Sequence, residues 1–208
     1  MKQKKEYERL HLMLLGTAGV AFVWSVVRCY DRFTWAMEAF PVIVAAVLLV
    51  PSYRRFRLTN LAYTLIWIHA IILLVGAHYT YARMPLFDWL RETFEWSRNH
   101  YDRVGHFAQG FIPAIVAREI LVRTSPVKKG GWLFFLVICV CLSISAAYEL
   151  LEWTAAVVSA DNSVAFLATQ GDEWDTQKDM ALCLVGSVSA LVILGGLHDK
   201  QLERVLEE

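Results

Sequence analysis

The stretch GWLFFLVICVCLSISAAYELL, residues 131–151, contains no charged side chain before Glu149. A helix of about 20 mainly apolar residues is long enough to cross the hydrocarbon core of a bilayer. Comparable runs occur at residues 10–27, 33–50, 60–79, 102–122 and 178–197, and 57% of the 208 residues are hydrophobic. Because lipid offers the backbone no hydrogen-bond partners, such spans must be helical. The sequence therefore predicts an all-α polytopic membrane protein, a single transmembrane domain over residues 1–208 with six transmembrane helices.

The basic residues predict the orientation of this bundle. In a six-span arrangement, thirteen of the 20 lysine and arginine residues fall on the side that holds both termini. Basic segments next to membrane helices tend to stay in the cytoplasm, so both termini are expected there. These thirteen residues are Lys2, Lys4, Lys5, Arg9, Arg54, Arg55, Arg57, Arg118, Arg123, Lys128, Lys129, Lys200 and Arg204.

The longest polar connection, residues 80–100, lies on the outer side between the third and fourth spans. Leu86, Trp89, Leu90 and Phe94 recur within it at helical spacing. This pattern predicts a short amphipathic helix on the outer surface. Whether this segment forms a lid is left open by the sequence.

The fourth span begins YDRVGHFAQGF, residues 101–111, with several polar residues where lipid would exclude them. Each charged residue facing lipid costs a few kcal/mol, so these side chains are expected to face other helices. Asp102 and His106 are four residues apart and therefore share one helix face, which Gln109 continues.

Two other spans bring acids to the same level. Glu149 and Glu152 are three residues apart near the outer end of the fifth span. Asp172, Asp175 and Asp179 precede the apolar run of the sixth span and would share a face if its helix began that early. The three spans are therefore expected to enclose a polar pocket that opens to the outside.

One imidazole among several carboxylates is a donor set that suits a divalent cation such as Zn, Mn or Mg. Crowded carboxylates repel one another unless protons or a cation neutralise them. A bound metal would also activate a water molecule for hydrolysis. In this interpretation His106, Glu149 and Asp179 are metal ligands, and Glu152 or Asp175 is the general base. No other cofactor is expected.

The rim of the pocket is expected to contact the substrate. Its residues are Asp102, Arg103, Gln109, Asp172 and Lys178, among which Arg103 or Lys178 would hold an anionic group. Because the pocket opens at the outer leaflet, we expect a hydrolase or transferase acting on a lipid or lipid-linked molecule of the cell envelope. Membrane lipids are the expected partners, and nucleic acid is not.

Two alternatives remain open at this point. A transporter of a small ion or polar solute would need a water path to the cytoplasm, and the middle of the spans contains few further acids. A non-catalytic binding or scaffold protein would use Arg103 and Lys178 to neutralise neighbouring acids, so that the polar network fixes helix register. The sequence does not determine the oligomeric state.

Three segments carry a resemblance to a known family: YDRVGHFAQGFIPAIVAREIL, AAYELLEW and TQGDEWDTQKDMALCLVG. They resemble the YjdF family of bacterial inner-membrane proteins, which has no assigned function. The resemblance covers most of the chain. It implies a multi-pass protein of the inner membrane, and the orientation predicted from the basic residues would turn the pocket toward the periplasm or the cell exterior.

The order D-[KR]-x-x-H-F, E-L-x-[EQ] and D-x-x-x-[DN] also resembles the VanZ-like group. The best-known member of that group is associated with resistance to the glycopeptide teicoplanin. Glu152 and Asp179 are acids where VanZ-like sequences commonly carry amides, which makes this pocket more acidic. The resemblance implies a shared fold and pocket, and it supplies no reaction.

Overall fold

The structure is a computed structural model that describes residues 2–158 and 170–206, with side chains from residue 6 onward. The described residues form seven α-helices and no strand, which confirms the all-α membrane fold. The helices are α1 (Lys2–Val26), α2 (Arg32–Ser52), α3 (Asn60–Tyr79), α4 (Pro85–Thr93), α5 (Tyr101–Thr124), α6 (Gly131–Val158) and α7 (Asp175–Leu206), with a 3-10 turn at Tyr81–Arg83.

Five of the described helices are long and apolar enough to cross a membrane, namely α1 from Glu6, α2, α3, α6 and α7. The remaining predicted span corresponds to α5. Its 24 residues give a length of about 36 Å, which is sufficient, but charged residues lie near both of its ends. The six-span count and the cytoplasmic position of both termini therefore stay predictions.

Several helices extend beyond the predicted span limits. Helix α6 continues past residue 151 to Val158, and α7 runs from Asp175 to Leu206 instead of from 178 to 197. Helix α1 starts at Lys2, well before residue 10. The extensions of α1 and α7 are rich in polar residues, whereas the extension of α6 is mainly apolar. Hydropathy with a fixed span length marks only the part of a helix that matches the hydrocarbon core.

Helix α5 is the centre of the bundle, where it contacts α3, α6 and α7. Its approach to α7 is very close, because a Cβ atom added at Gly110 would overlap the carbonyl oxygen of Cys183. A Cβ atom at Gly186 would likewise overlap the carbonyl oxygen of Phe107. Small residues allow membrane helices to approach in this way. The polar residues of α5 consequently face protein and not lipid.

An apolar core fills the middle of the bundle. Its buried members are Leu65, Ala108, Ile112, Ala114, Ile115, Leu133, Val137, Cys141, Cys183 and Ala190. The outward faces carry large exposed apolar side chains such as Val47 and Ile193, which suit contact with lipid. The polar residues of α5 that precede Ala108 and those that follow Ile115 therefore form two separate clusters.

The polar connection 80–100 contains the expected amphipathic helix as α4. Leu86 and Trp89 of this helix are exposed. The amide of the fully buried Asn99 donates to the Met84 carbonyl oxygen and to Asp88, at 3.1 Å in each case. Asn99 thereby fixes the return of the chain from α4 to the start of α5.

Candidate functional site

The acidic and histidine residues singled out in the sequence meet at one end of the bundle, where α5 and α7 begin and α6 ends. Asp102 and His106 lie one turn apart on α5, Glu149 lies on α6 and Asp179 lies one turn into α7. All four side chains are buried. We call these four residues the acid–histidine site.

His106 is the point on which the three helices converge. Its Nε2 atom lies 3.4 Å from Asp102 Oδ1, 3.8 Å from Glu149 Oε1 and 4.0 Å from Asp179 Oδ2. The close approach of α5 and α7 at Gly110 sets the spacing between His106 and Asp179. One imidazole edge therefore faces carboxylates from three different helices.

Two atoms of this site have unused hydrogen-bonding capacity. Glu149 Oε2 accepts a hydrogen bond of 2.9 Å from the Thr176 hydroxyl, which ties α6 to α7. Among the described residues, neither Glu149 Oε1 nor His106 Nδ1 has a hydrogen-bond partner, although both atoms are buried. Buried polar atoms without partners are costly and uncommon. Glu149 Oε1 is therefore available to another ligand.

The donor set fits a divalent cation. One donor atom from each of Asp102, His106 and Asp179 lies within 4.8 Å of the others, and all three residues are buried. Zinc lies about 2.0–2.2 Å from nitrogen and oxygen ligands, so small inward shifts of these side chains would bring them to bonding distance. Glu149, a ligand in the sequence interpretation, is not part of this three-residue group, although its Oε1 atom lies 3.8 Å from the same imidazole nitrogen. The arrangement can hold a cation with mixed nitrogen and oxygen ligands.

Arg103 binds the acids at the start of α7. Its guanidinium lies 2.5 Å from Asp179 Oδ1, 2.5 Å from Asp175 Oδ1 and 3.1 Å from Asp172 Oδ2. Arg103 was expected to contact substrate, and the structure places it in ion pairs with three aspartates. Asp179 thus faces both Arg103 and His106.

Arg98 was not identified as a site residue from the sequence, yet it completes this network. It is buried, forms an ion pair with Asp175 and lies 3.4 Å from Asp102. Arg98 precedes Asp102 by four residues, which is a helical pairing distance, but α5 begins only at Tyr101. The fold of the connection around Asn99 brings Arg98 inward, and no local sequence pattern indicates this.

Glu38 on α2 is a second residue that sequence analysis did not assign to the site. It is only 2% exposed, its Oε2 atom has no hydrogen-bond partner among the described residues, and its carboxyl interacts electrostatically with Asp102. The neighbouring Met37 carbonyl oxygen accepts a 3.3 Å hydrogen bond from Tyr148, which joins α2 to α6. In the sequence, the signal for Glu38 is the presence of a carboxyl group within the apolar run 33–50.

The remaining predicted residues surround this centre. Asp172 precedes α7 and does not share its face as the spacing suggested, because its carboxylate accepts from the backbone of Trp174 in a turn. Lys178, 54% exposed at its side chain, contacts Asp172 at 2.6 Å, and this hydrogen bonding lowers the pKa of Asp172.

Glu152 is half-buried and interacts electrostatically with Glu149. Gln109 is half-buried, and its side chain makes no hydrogen bond within the described part of the chain.

Comparison with known proteins agrees with the resemblance seen in the sequence. Residues 10–200 match the family described as predicted membrane protein, DUF2238. The chain is 47% identical over 188 residues to the inner membrane protein YjdF of Escherichia coli (strain K12), covering 90% of each chain. No solved structure matches the chain. The likeness to the VanZ-like group stays a prediction, as do the roles of the individual site residues. The chain belongs to the DUF2238 family of membrane proteins.

Proposed function

We propose that this protein is a metal-dependent enzyme of the inner membrane, a hydrolase or transferase acting on a lipid or lipid-linked substrate of the cell envelope. The observation that carries the proposal is the meeting of the Asp102, His106 and Asp179 donor atoms within 4.8 Å at a buried position. The unpartnered Oε1 atom of Glu149 beside them supplies a further ligand. The inner-membrane location rests on the name of the Escherichia coli relative.

The charge balance supports a bound cation. Five acids lie in ion pairs or close contacts around the site, and three basic side chains compensate them, with a fourth positive charge on His106 only when its imidazole is protonated. The acids are Asp102, Glu149, Asp172, Asp175 and Asp179, and the bases are Arg98, Arg103 and Lys178. Buried carboxylates without compensation repel one another. A divalent cation would remove the remaining excess of negative charge.

The contacts that each side chain already makes indicate the role that we assign to it. In this proposal Asp102, His106, Glu149 and Asp179 hold the cation, which supplies Lewis acidity and lowers the pKa of a bound water. Glu152 is the general base, since it is half-buried near Glu149 and its carboxyl group makes no hydrogen bond with the described residues. Asp175 suits this role less well, because Arg98 and Arg103 both engage its carboxylate.

The substrate assignment follows from the position of the site. The site lies near the starts of α5 and α7, and in the six-span arrangement that we propose this is the level where lipid headgroups meet water. Lys178 is an exposed cation beside the site and, within the described part of the chain, forms its ion pair with Asp172, so it can hold an anionic group of an entering substrate. A lipid carrying phosphate or another anionic headgroup fits this combination.

The packing weighs against the transporter alternative. His106 and Glu119 are 13 positions apart on α5, a separation of about 20 Å along the helix. The apolar core with Ile112 and Ile115 occupies the space between these two polar levels. A water path through the bundle would have to disrupt that core.

The test is metal binding by the purified full-length protein. We expect about one equivalent of Zn, Mn or Mg by elemental analysis and by titration calorimetry, as for sites with this donor set. His106→Ala and Asp179→Asn should lose the metal, whereas the exposed Glu92→Gln on α4 should retain it. Native mass spectrometry of the same sample should detect a co-purifying lipid. Failure of all three metals to bind wild-type protein would contradict the proposal.

A further inference from the structure

Helix α4 packs against the bundle at the level where α3 ends. Its Phe87 side chain contacts the apolar cluster of Leu73 and Tyr101, and Leu73 lies in about the last two turns of α3. Because α3 is long and apolar enough to cross a membrane, this contact places α4 at the boundary between hydrocarbon and water. We infer that α4 docks on the lipid surface at this boundary, and that the docking holds Arg98 against the acid–histidine site.

Three sides of α4 have different surroundings. Leu86 and Trp89, three positions apart on one side, are 54% and 59% exposed. Successive residues lie about 100° apart around a helix, so Asp88 lies opposite Leu86. Phe87 lies between these two sides and faces the bundle, with its ring 5.5 Å from the Tyr101 ring. A helix with one side on protein, an exposed apolar side and a polar side opposite is suited to lie in the plane of a membrane surface.

The exposed apolar surface continues beyond the end of α4. Phe94 and Trp96 are 59% and 40% exposed, and their rings stack with centroids 5.4 Å apart. Indole rings concentrate at the two interfaces of a membrane. A soluble partner would leave these side chains in water whenever it dissociated, whereas lipid is always present at the level of the α3 terminus. The chemistry and the position of this surface therefore fit lipid.

A chain of hydrogen bonds joins α4 to the acids of the site. The side-chain amide of the fully buried Asn99 donates to Asp88 at 3.1 Å. The backbone N–H of Asn99 donates to Gln170 Oε1 at 2.9 Å, and Gln170 Nε2 donates back to the Asn99 carbonyl oxygen at 3.0 Å. Arg98, the residue before Asn99, lies 3.4 Å from Asp102. The position of α4 therefore influences where Arg98 meets the acids.

The segment between α4 and α5 depends on these contacts for its position. Residues 94–100 form no helix or strand, and segments with few backbone hydrogen bonds open locally at low free-energy cost. If α4 leaves the lipid surface, Asp88 moves with it and Asn99 loses one of its acceptors. Lipid beneath α4 thus stabilises the arrangement that holds Arg98.

Quenching by brominated lipid tests the docking in the full-length protein, reconstituted in phosphatidylcholine vesicles. A background with Cys29→Ser and Cys139→Ala keeps only native thiols that are fully buried. A bimane label on Leu86→Cys should be strongly quenched by phosphatidylcholine that is brominated near the start of its acyl chains. The same label on Glu92→Cys, one turn after Asp88 on the polar side, should be quenched much less. Equal quenching at the two positions would overturn the inference, and so would no quenching at either, the result expected if a second copy or another protein covers this surface.

Hydrogen exchange measured by mass spectrometry tests the link to Arg98. Trp89 is exposed, so Trp89→Glu opposes docking without removing a packed side chain. Amides in the segment 96–101 should then exchange several-fold faster than in wild type, because the segment opens more often. Glu92→Gln is the matched control and should leave the exchange unchanged. Exchange in Trp89→Glu equal to that in wild type would overturn the link, and neither measurement involves a metal or activity, so both are independent of the proposed enzymatic function.

Discussion

Gly110 on α5 lies directly against the carbonyl oxygen of Cys183 on α7, with no room for a Cβ atom between them. This contact lies one helical turn beyond His106 on α5 and one turn beyond Asp179 on α7. It therefore controls the distance of 4.0 Å between the His106 and Asp179 side chains. The geometry of the acid–histidine site depends on a close backbone contact that contains none of its residues.

Replacement of this glycine should separate the two helices. Gly110→Ala is expected to destabilise the protein by about 1–3 kcal/mol, the usual cost of overpacking a close contact, and to weaken metal binding. Gly16→Ala on α1, which has open space, should be neutral or stabilising, since alanine favours helix. Thermal unfolding in detergent measures both variants. A Gly110→Ala protein as stable as wild type would show that the two backbones can separate freely.

Loss of Arg103 should leave three aspartates without their shared cation. Arg103→Gln is expected to destabilise the fold by about 3–5 kcal/mol, as for removing one partner of a buried ion pair. A divalent cation should restore more stability to this variant than to wild type, because it takes over the compensation. Lys178→Gln, whose side chain is largely exposed, should cost less than about 1 kcal/mol. The absence of any extra stabilisation by cations would contradict a metal in this network.

Thr176 positions a proposed metal ligand without binding the metal itself. Its hydroxyl donates to Glu149 Oε2 at 2.9 Å. Thr176→Val should reduce metal affinity about 10–100-fold, the typical effect of removing a residue that orients a ligand. Thr154→Val is the control, because the Thr154 hydroxyl donates to the Leu150 carbonyl oxygen of its own helix. Titration calorimetry should separate the two variants, and equal affinities would argue against Glu149 as a ligand.

The lowered pKa of Asp172 predicts that the fold loses part of its stability at acid pH. Hydrogen bonding from Lys178 lowers the pKa of Asp172 below its ordinary value of 3.8. A carboxyl with a lowered pKa in the folded state stabilises the fold above the unfolded pKa, and this contribution disappears as the pH falls through the folded pKa. Wild type should therefore lose stability more steeply than Asp172→Asn below the ordinary pKa. Thermal unfolding midpoints across an acid pH series measure the difference, and parallel curves would contradict it.

The topology prediction depends on α5. If α5 crosses the membrane with the five apolar helices, both termini lie on the same side; if it does not, they lie on opposite sides. Alkaline phosphatase fused after Glu95 should be active, and fusions at Lys129 or after Glu208 should be inactive. A green fluorescent protein fused at either terminus should fluoresce. Active phosphatase at the C-terminus together with a fluorescent fusion at the N-terminus would reject the six-span arrangement.

The sequence by itself predicted the main helices, because a hydrophobic run of span length has few structural alternatives in lipid. It also predicted that acids and a histidine from three helices would lie at one level, with Asp102 and Asp172 at the rim; the set at that level was His106, Glu149, Glu152, Asp175 and Asp179. Helical periodicity relates residues on one helix, and the distance from a membrane boundary relates residues on different helices. Both quantities can be obtained by counting along the chain.

The tertiary structure decided which of these residues touch. Arg98 joins the site through a non-helical connection, and Glu38 joins it from a helix whose sequence is otherwise apolar, so neither contact follows from periodicity. The second polar cluster, centred on Glu119 and His198, likewise depends on pairing between α5 and α7. Helix rotation and separation are set by packing at contacts such as Gly110, and packing depends on residues distant in the sequence. Counting along the chain gives the depth of a residue in the membrane, whereas packing determines its neighbours.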